Sequence, residues 1–236
     1  MNVRGRRKCK DCETRWSYYE TASVHCPNCG SMKSVGVDDR KRHTDSPTSF
    51  DLTPIRNRID EDPLRDVAGA AVDRAREYVR ERGFVDAGEL LLLDDTFVAA
   101  TELRHVGAEL SRELRRSEAE ELYFLDLLRG ADEGERPPAE EVPDAFRSAY
   151  GLAVADAVGD YQRDLRTYLD DHPHPEARSV SGSVRDHRKR IEALDGDVDP
   201  KDAERLLHAA RDVGKYLLSG EESALVTADN WLQGIE

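Results

Sequence analysis

Four cysteines are the residues of this chain best placed to do chemistry. They read Cys9-Lys-Asp-Cys12 and Cys26-Pro-Asn-Cys29, with thirteen residues between the pairs, and no other cysteine occurs in the 236-residue sequence. Each C-x-x-C step sets two sulfurs on one tight turn, and two such turns complete a tetrahedron around a single ion at Zn–S distances of about 2.3 Å. Four protein ligands leave no coordination position open, so the expected chemistry is structural and not hydrolytic. Gly30 follows the second pair, where a positive φ is often needed, and Pro27 stiffens the turn. Zinc is the expected ion and iron the alternative, because a sulfur tetrahedron accepts either. A disulfide framework is disfavoured in a chain this long that shows no signal peptide. A redox C-x-x-C pair is disfavoured by the duplication of the motif and by the lack of a βαβ pattern around it. His25, beside Cys26, is expected to be exposed and not a ligand.

The segments that must position these sulfurs are short. Thr14–Thr21 is rich in aromatic and threonine residues and predicts a strand, and Lys33–Val37 predicts a second. Together they describe a zinc ribbon over residues 1–37. A unit of about 40 residues buries too little apolar surface to fold alone. Structural zinc offsets that deficit, with apparent binding energies of roughly 10–16 kcal/mol.

Through Cys9, Cys12, Cys26 and Cys29, residues 1–37 resemble the zinc ribbons of archaeal transcription factor B and related proteins. The whole chain is similar in style to uncharacterised haloarchaeal proteins with an amino-terminal ribbon. The Cys-Pro-Asn-Cys-Gly knuckle also looks like that of rubredoxins. The first resemblance implies a small rigid surface offered to a macromolecule, with Arg15, Trp16, Tyr18 and Tyr19 as candidate contacts, of which one or two must fill the ribbon's own core.

The net charge is −14, with 49 acidic residues and only seven lysines against 28 arginines. Such a surface suits molar salt, where carboxylates stay hydrated and their repulsion is screened, so a halophilic archaeal cytoplasm is expected. No apolar run in the sequence reaches the length of about 18 residues that a membrane helix needs. Residues 1–43 carry ten basic and five acidic side chains, whereas residues 44–236 carry 25 and 44. A basic metal module on an acidic body invites a nucleic-acid reading, but backbone binding weakens steeply as salt rises. Docking on a protein partner, on a second copy or on the body itself is the preferred expectation.

Residues 38–62 are polar, contain Pro47 and Pro54, and read as a linker in which Phe50, Leu52 and Ile55 can dock. Residues 63–236 then read as an acidic helical domain. Asp62-Pro63 opens a helix that Gly83 stops. Asp86 with Glu89 resembles a capping box for one long helix, or two collinear ones, reaching Arg129. Its apolar stripe is Leu103, Val106, Leu110 and Leu114, resumed by Leu122, Leu125 and Leu128. The next helix carries Phe146, Tyr150, Val154, Ala157, Tyr161, Leu165 and Tyr168 and ends at His172-Pro-His174-Pro175. Further helices are expected over about 176–194, from Asp199-Pro200 through Leu218, and over Ala224–Ile235. The predicted fold is mainly α: a small β zinc ribbon followed by an antiparallel helical bundle.

The body offers few other motifs. Glu102-Leu-Arg-His105 has the Glu-x-x-His step of di-iron bundles, but no second copy exists, and the residues are read as a solvated charged face. His172 and His174 read as loop residues, and His187 and His208 as packing residues. Ser179–Ser183 lacks the preceding strand of a nucleophile elbow, and reads as turns around a helix start. No glycine-rich phosphate loop and no distinguished carboxylate pair are found. The sequence thus points to a non-catalytic, cytoplasmic adaptor linked to transcription or RNA. The rival is a redox enzyme with a rubredoxin-like iron site and a helical catalytic body.

Overall fold

The computed structural model describes residues 1–112 and 116–235. The chain is mainly α, with short strands at its amino-terminal end. In the ribbon, β2 (Arg6–Cys9) lies between β3 (Arg15–Ser17) and β4 (Ser34–Gly36), both antiparallel to it, with Arg7 opposite Trp16 and Lys8 opposite Val35. The strand expected over Thr14–Thr21 stops at Ser17 and turns into the single-turn helix α1 (Tyr18–Thr21). A second pair joins β1 (Asn2–Arg4) to β5 (Arg40–Arg42), so ordered β structure runs past residue 37.

Residues 38–62 are well fastened to the body. Leu52 and Ile55 are buried in its core, on either side of the start of α2 (Thr53–Arg56). Phe50 stacks on Tyr78 at 4.8 Å, and Arg56 pairs with Asp132 at 2.6 Å.

The body comprises α3 (Leu64–Glu81), α4 (Asp95–Arg112), α5 (Glu118–Gly130), α6 (Arg147–Asp171), α7 (Pro175–Ala193), α8 (Pro200–Ser219) and α9 (Glu222–Gln233). The alanine-rich face of α3, with Val67, Ala68, Ala71, Val72 and Ala75 buried, lies against α4. Gly107 allows that approach, since a Cβ there would stand 2.9 Å from Val72. The helix α4 is central and packs on α3, α5 and α6. The stripe predicted for α6 is buried from Phe146 to Leu165, with Tyr168 partly covered. One apolar core runs from Leu52 to Leu232, and it shares no residue with the ribbon's small core of Cys9, Trp16 and Cys26.

Two expectations are corrected between Gly83 and Arg129. Asp86 and Glu89 are not a capping box but face each other across a hairpin of β6 (Val85–Asp86) and β7 (Glu89–Leu90). Ala87 and Gly88 both take positive φ, at 51° and 91°. Two successive residues of that kind make the tight turn that suits strand twist. The capping box sits at the start of α5, where Ser117 and Glu120 exchange side-chain to backbone bonds of 3.3 Å each. That exchange satisfies two amides the helix cannot. The buried face of α5 is Tyr123, Phe124, Leu127 and Leu128, leaving Leu122 exposed. Leu103, Val106 and Leu110 are buried as expected, and Leu114 lies outside the described residues.

The ribbon meets the body through polar contacts. Thr44 donates its hydroxyl to Asp164 at 2.6 Å, its amide bonds to Val85 O at 2.8 Å, and Arg42 pairs with Asp171 at 2.7 Å. Among the described residues no helix is long and apolar enough to cross a membrane.

Candidate metal centre

Both knuckles are built alike. Cys9 N bonds to Thr14 O and Cys26 N to Ser31 O, each at 2.9 Å, folding the chain so that the second cysteine of each pair swings under the first. The residue after each pair is left-handed: Gly30 at φ 70° and Glu13 at φ 61°. The second is less expected, because a side chain crowds the backbone in that region. Lys8 holds the Glu13 carboxylate at 2.9 Å.

The four sulfurs lie within 4.8 Å of one another, with Cys9–Cys29 at 3.7 Å and Cys12–Cys26 at 3.5 Å. A tetrahedron with metal–sulfur bonds of about 2.3 Å requires sulfur separations of about 3.8 Å, so the cluster fits one ion. Its protonation points the same way. Hydrogen bonds at Thr14 draw the Cys12 thiol down to about 6. At Cys29 the pull of the Ser31 backbone is outweighed by the neighbouring sulfurs, and the thiol stands at about 12. Four thiolates cannot coexist here without a cation, and a bound metal removes the conflict. The cluster can therefore hold a metal ion. His25 is exposed, lies 3.3 Å from Ser23 Oγ and takes no part.

Of the candidate contact residues, Arg15 is exposed and Tyr18 half-buried on the ribbon surface. Trp16, expected to face a partner, fills the ribbon core instead: it is 9% exposed, packs with Cys9 and Cys26, and donates its indole N–H to Ser23 O at 3.0 Å. Tyr19 lies against His43 at 4.8 Å and beneath Gly5, where any Cβ would strike its ring. Tyr18 meets the same histidine edge-on at 6.2 Å.

In the body, the reading of Glu102 as part of a solvated face is overturned. Glu102 is 1% exposed and accepts from Tyr123 Oη at 2.6 Å and from Arg136 at 2.9 Å. Arg136 reaches Glu204 at 2.9 Å with its other arm, and Tyr150 donates its hydroxyl to Glu204. Five side chains thus tie α4, α5, α6, α8 and the loop after α5 into one buried knot. Burial outweighs Arg136 and Tyr123 at Glu102 and holds its carboxyl above the usual range. Burial at Glu204 is outweighed by Arg136 and Tyr150, and its carboxyl is lowered. This is the carboxylate pair that sequence reasoning missed. One signal was available: Glu102 lies in a row with Val98 and Val106, both buried.

His105 binds Asp156 at 2.9 Å. His172 and His174 are exposed and lean on Tyr168 and Tyr216. His208 stacks on Trp231 at 4.9 Å, and His187 is half-buried. Ser179–Ser183 lie inside α7 and form no turn. Among the described residues, the four cysteines are the only group of three or more potential ligands close enough to hold a metal.

Comparison with known proteins gives a family and no activity. The model of a family of unknown function, DUF7117, matches residues 1–232, and the chain belongs to that family. No curated protein and no solved structure matches it.

Proposed function

We propose that this member of a family of unknown function is a zinc-holding, non-catalytic adaptor of the cytoplasm. In this reading the ribbon offers a rigid surface around Arg15 and Tyr18 to a macromolecular partner in transcription or RNA handling. One observation carries the proposal: four cysteine sulfurs, two from each knuckle, stand at tetrahedral separations in a site with no place for a fifth group. Such a metal fixes a surface and activates no substrate. The ribbon's separate core supports this, because Trp16 anchors β3 from below and leaves Arg15 free above it. Reduced thiols paired on a metal belong in a reducing compartment.

The test is purification of the tagged chain from its native host, with metal analysis and identification of whatever co-elutes. The expected result is one zinc per chain and a defined partner, lost in Arg15→Ala/Tyr18→Ala while the zinc stays. A red, iron-loaded protein would favour the redox reading. A partner indifferent to the double substitution would refute the ribbon surface.

A further inference from the structure

The body is acidic, with 44 carboxylate residues against 25 basic ones in residues 44–236, yet arginines converge on one face of it. Between α6 and α7 runs an open cleft of about 670 Å³ into which Arg163, Arg166, Arg178, Arg185 and Arg188 project. A second cleft of about 450 Å³ shares Arg163 and Asp160 with the first and adds Arg76, Arg80, Arg82 and Arg104. Nine arginines and four carboxylates, Asp156, Asp160, Asp164 and Glu192, line the two clefts, and Asp45, Asp73, Asp94, Asp170 and Asp186 pair with Arg82, Arg76, Arg178 and Arg185 from beyond the lining. These carboxylates hold part of the array in place: Asp160 takes Arg163 at 2.9 Å, and Asp156 takes Arg104. Arg80 and Arg166 have no carboxylate within 4 Å among the described residues, and Arg185 reaches only its neighbour Asp186, at 3.6 Å.

Ion pairs hold seven of these guanidinium groups along the clefts and leave Arg80 and Arg166 open among the described residues. We infer that this groove binds the sugar-phosphate backbone of double-stranded nucleic acid. Guanidinium forks match phosphate oxygens in charge and shape. Nine of them along two joined clefts suit a row of phosphates better than a single one. Gly159 lets the Arg188 side chain lie close over α6, where a Cβ would stand 3.2 Å from its Nη1. Proteins that grip single strands add aromatic platforms for the bases. Here the one aromatic lining residue, Phe84, is 1% exposed, so bases find nothing to stack on. The groove therefore reads backbone and shape, without sequence preference. The inference stands on the helical body alone, and its failure would leave the ribbon's proposed role untouched.

The test measures fluorescence anisotropy of labelled RNA and DNA duplexes of about 20 base pairs, the scale of known duplex-binding modules, across a salt series. The full-length metal-loaded protein is used, with single strands, poly-glutamate and inorganic phosphate as comparison probes. Duplex binding should weaken linearly on a log–log salt plot, with a slope of about −0.9 per phosphate contacted. Arg166→Glu/Arg185→Glu changes two exposed side chains outside the core, so helicity should persist. Affinity should fall about tenfold or more and the slope should flatten by about two contacts, while Arg166→Lys/Arg185→Lys keeps most of the binding. Several results would overturn the inference: no duplex binding at low salt, binding unmoved by charge reversal, or preference for single strands or poly-glutamate. Displacement by millimolar phosphate at matched ionic strength would do the same.

Discussion

Replacing Arg136 with methionine would remove the cation shared by buried Glu102 and half-buried Glu204. Glu102 would keep only the Tyr123 hydroxyl, in a site where it is 1% exposed. Breaking a buried pair from one side costs about 3–5 kcal/mol, because the remaining charge has lost its partner. For a domain of this size each kcal/mol lowers Tm by about 2–4 °C, so a fall of about 6–20 °C is expected. The loss should depend on pH in a defined direction. Burial already holds the Glu102 carboxyl above the usual range, and without Arg136 it rises further. A carboxyl raised in the folded state stabilises most below its unfolded value of about 4.3, and that contribution disappears as pH climbs through the folded value. The variant should therefore be closest to wild type near pH 5 and furthest from it near pH 8. Glu102→Gln keeps the tyrosine bond without the charge and should cost about 1 kcal/mol. Glu102→Gln/Arg136→Met should be more stable than Arg136→Met alone, since no buried charge is then orphaned. Thermal and denaturant melts at the two pH values measure all of this. A loss under about 1 kcal/mol, a loss equal at both pH values, or a double variant no better than the single would refute the account.

Other substitutions probe other parts of the molecule. Cys29→Ser should abolish stoichiometric metal binding and unfold the ribbon while the far-UV helical signal persists, because the two cores share no residue; loss of the helices along with the metal would show one cooperative unit. Tyr161 is almost fully buried and its hydroxyl lacks a hydrogen-bond partner among the described residues, so Tyr161→Phe should be neutral or stabilising by up to about 1 kcal/mol in urea unfolding. A Cβ at Gly151 would collide with Gly196 O, a backbone atom that cannot move alone, so Gly151→Ala should lower stability by about 1–3 kcal/mol and part α6 from the turn after α7, which thermal melts would register.

The cysteine cluster that can hold a metal was legible because its spacing is the chemistry: four sulfurs in two turns admit few other arrangements. The long helices were legible because Tyr150, Val154, Tyr161 and Leu165 repeat at helical spacing along one buried face. What the pattern concealed was short or long-range. The Asp86–Glu89 hairpin is too brief to show a strand period, and its identity as a turn depends on Ala87 accepting a positive φ, which alanine does not advertise. Glu102 was misread because its acidity was given more weight than the two buried valines flanking it by one turn. Its partners Tyr123 and Arg136 lie 21 and 34 positions away, beyond the reach of any local rule. Trp16 shows the same ambiguity at small scale, since spacing cannot say which of three ribbon aromatics turns inward.

The junction at Thr44 has a mechanical consequence. The ribbon is fastened to the body by contacts of different character. One is the Arg42–Asp171 ion pair, half open to solvent, which dissolved salt weakens. The other is a short-range cluster: Thr44 and the Phe84 amide both donate to Asp164, at 2.6 and 2.7 Å, and Thr44 N bonds to Val85 O. Raising the ionic strength slackens the first and spares the second. What remains is a seam and not a pivot, because Gly88 N also bonds to Arg42 O at 2.7 Å and buried His43 meets Asp86 at 3.2 Å and the Tyr19 ring at 4.8 Å. The head should thus keep its angle to the body as salt rises, and small-angle scattering across a salt series should record an unchanged radius of gyration.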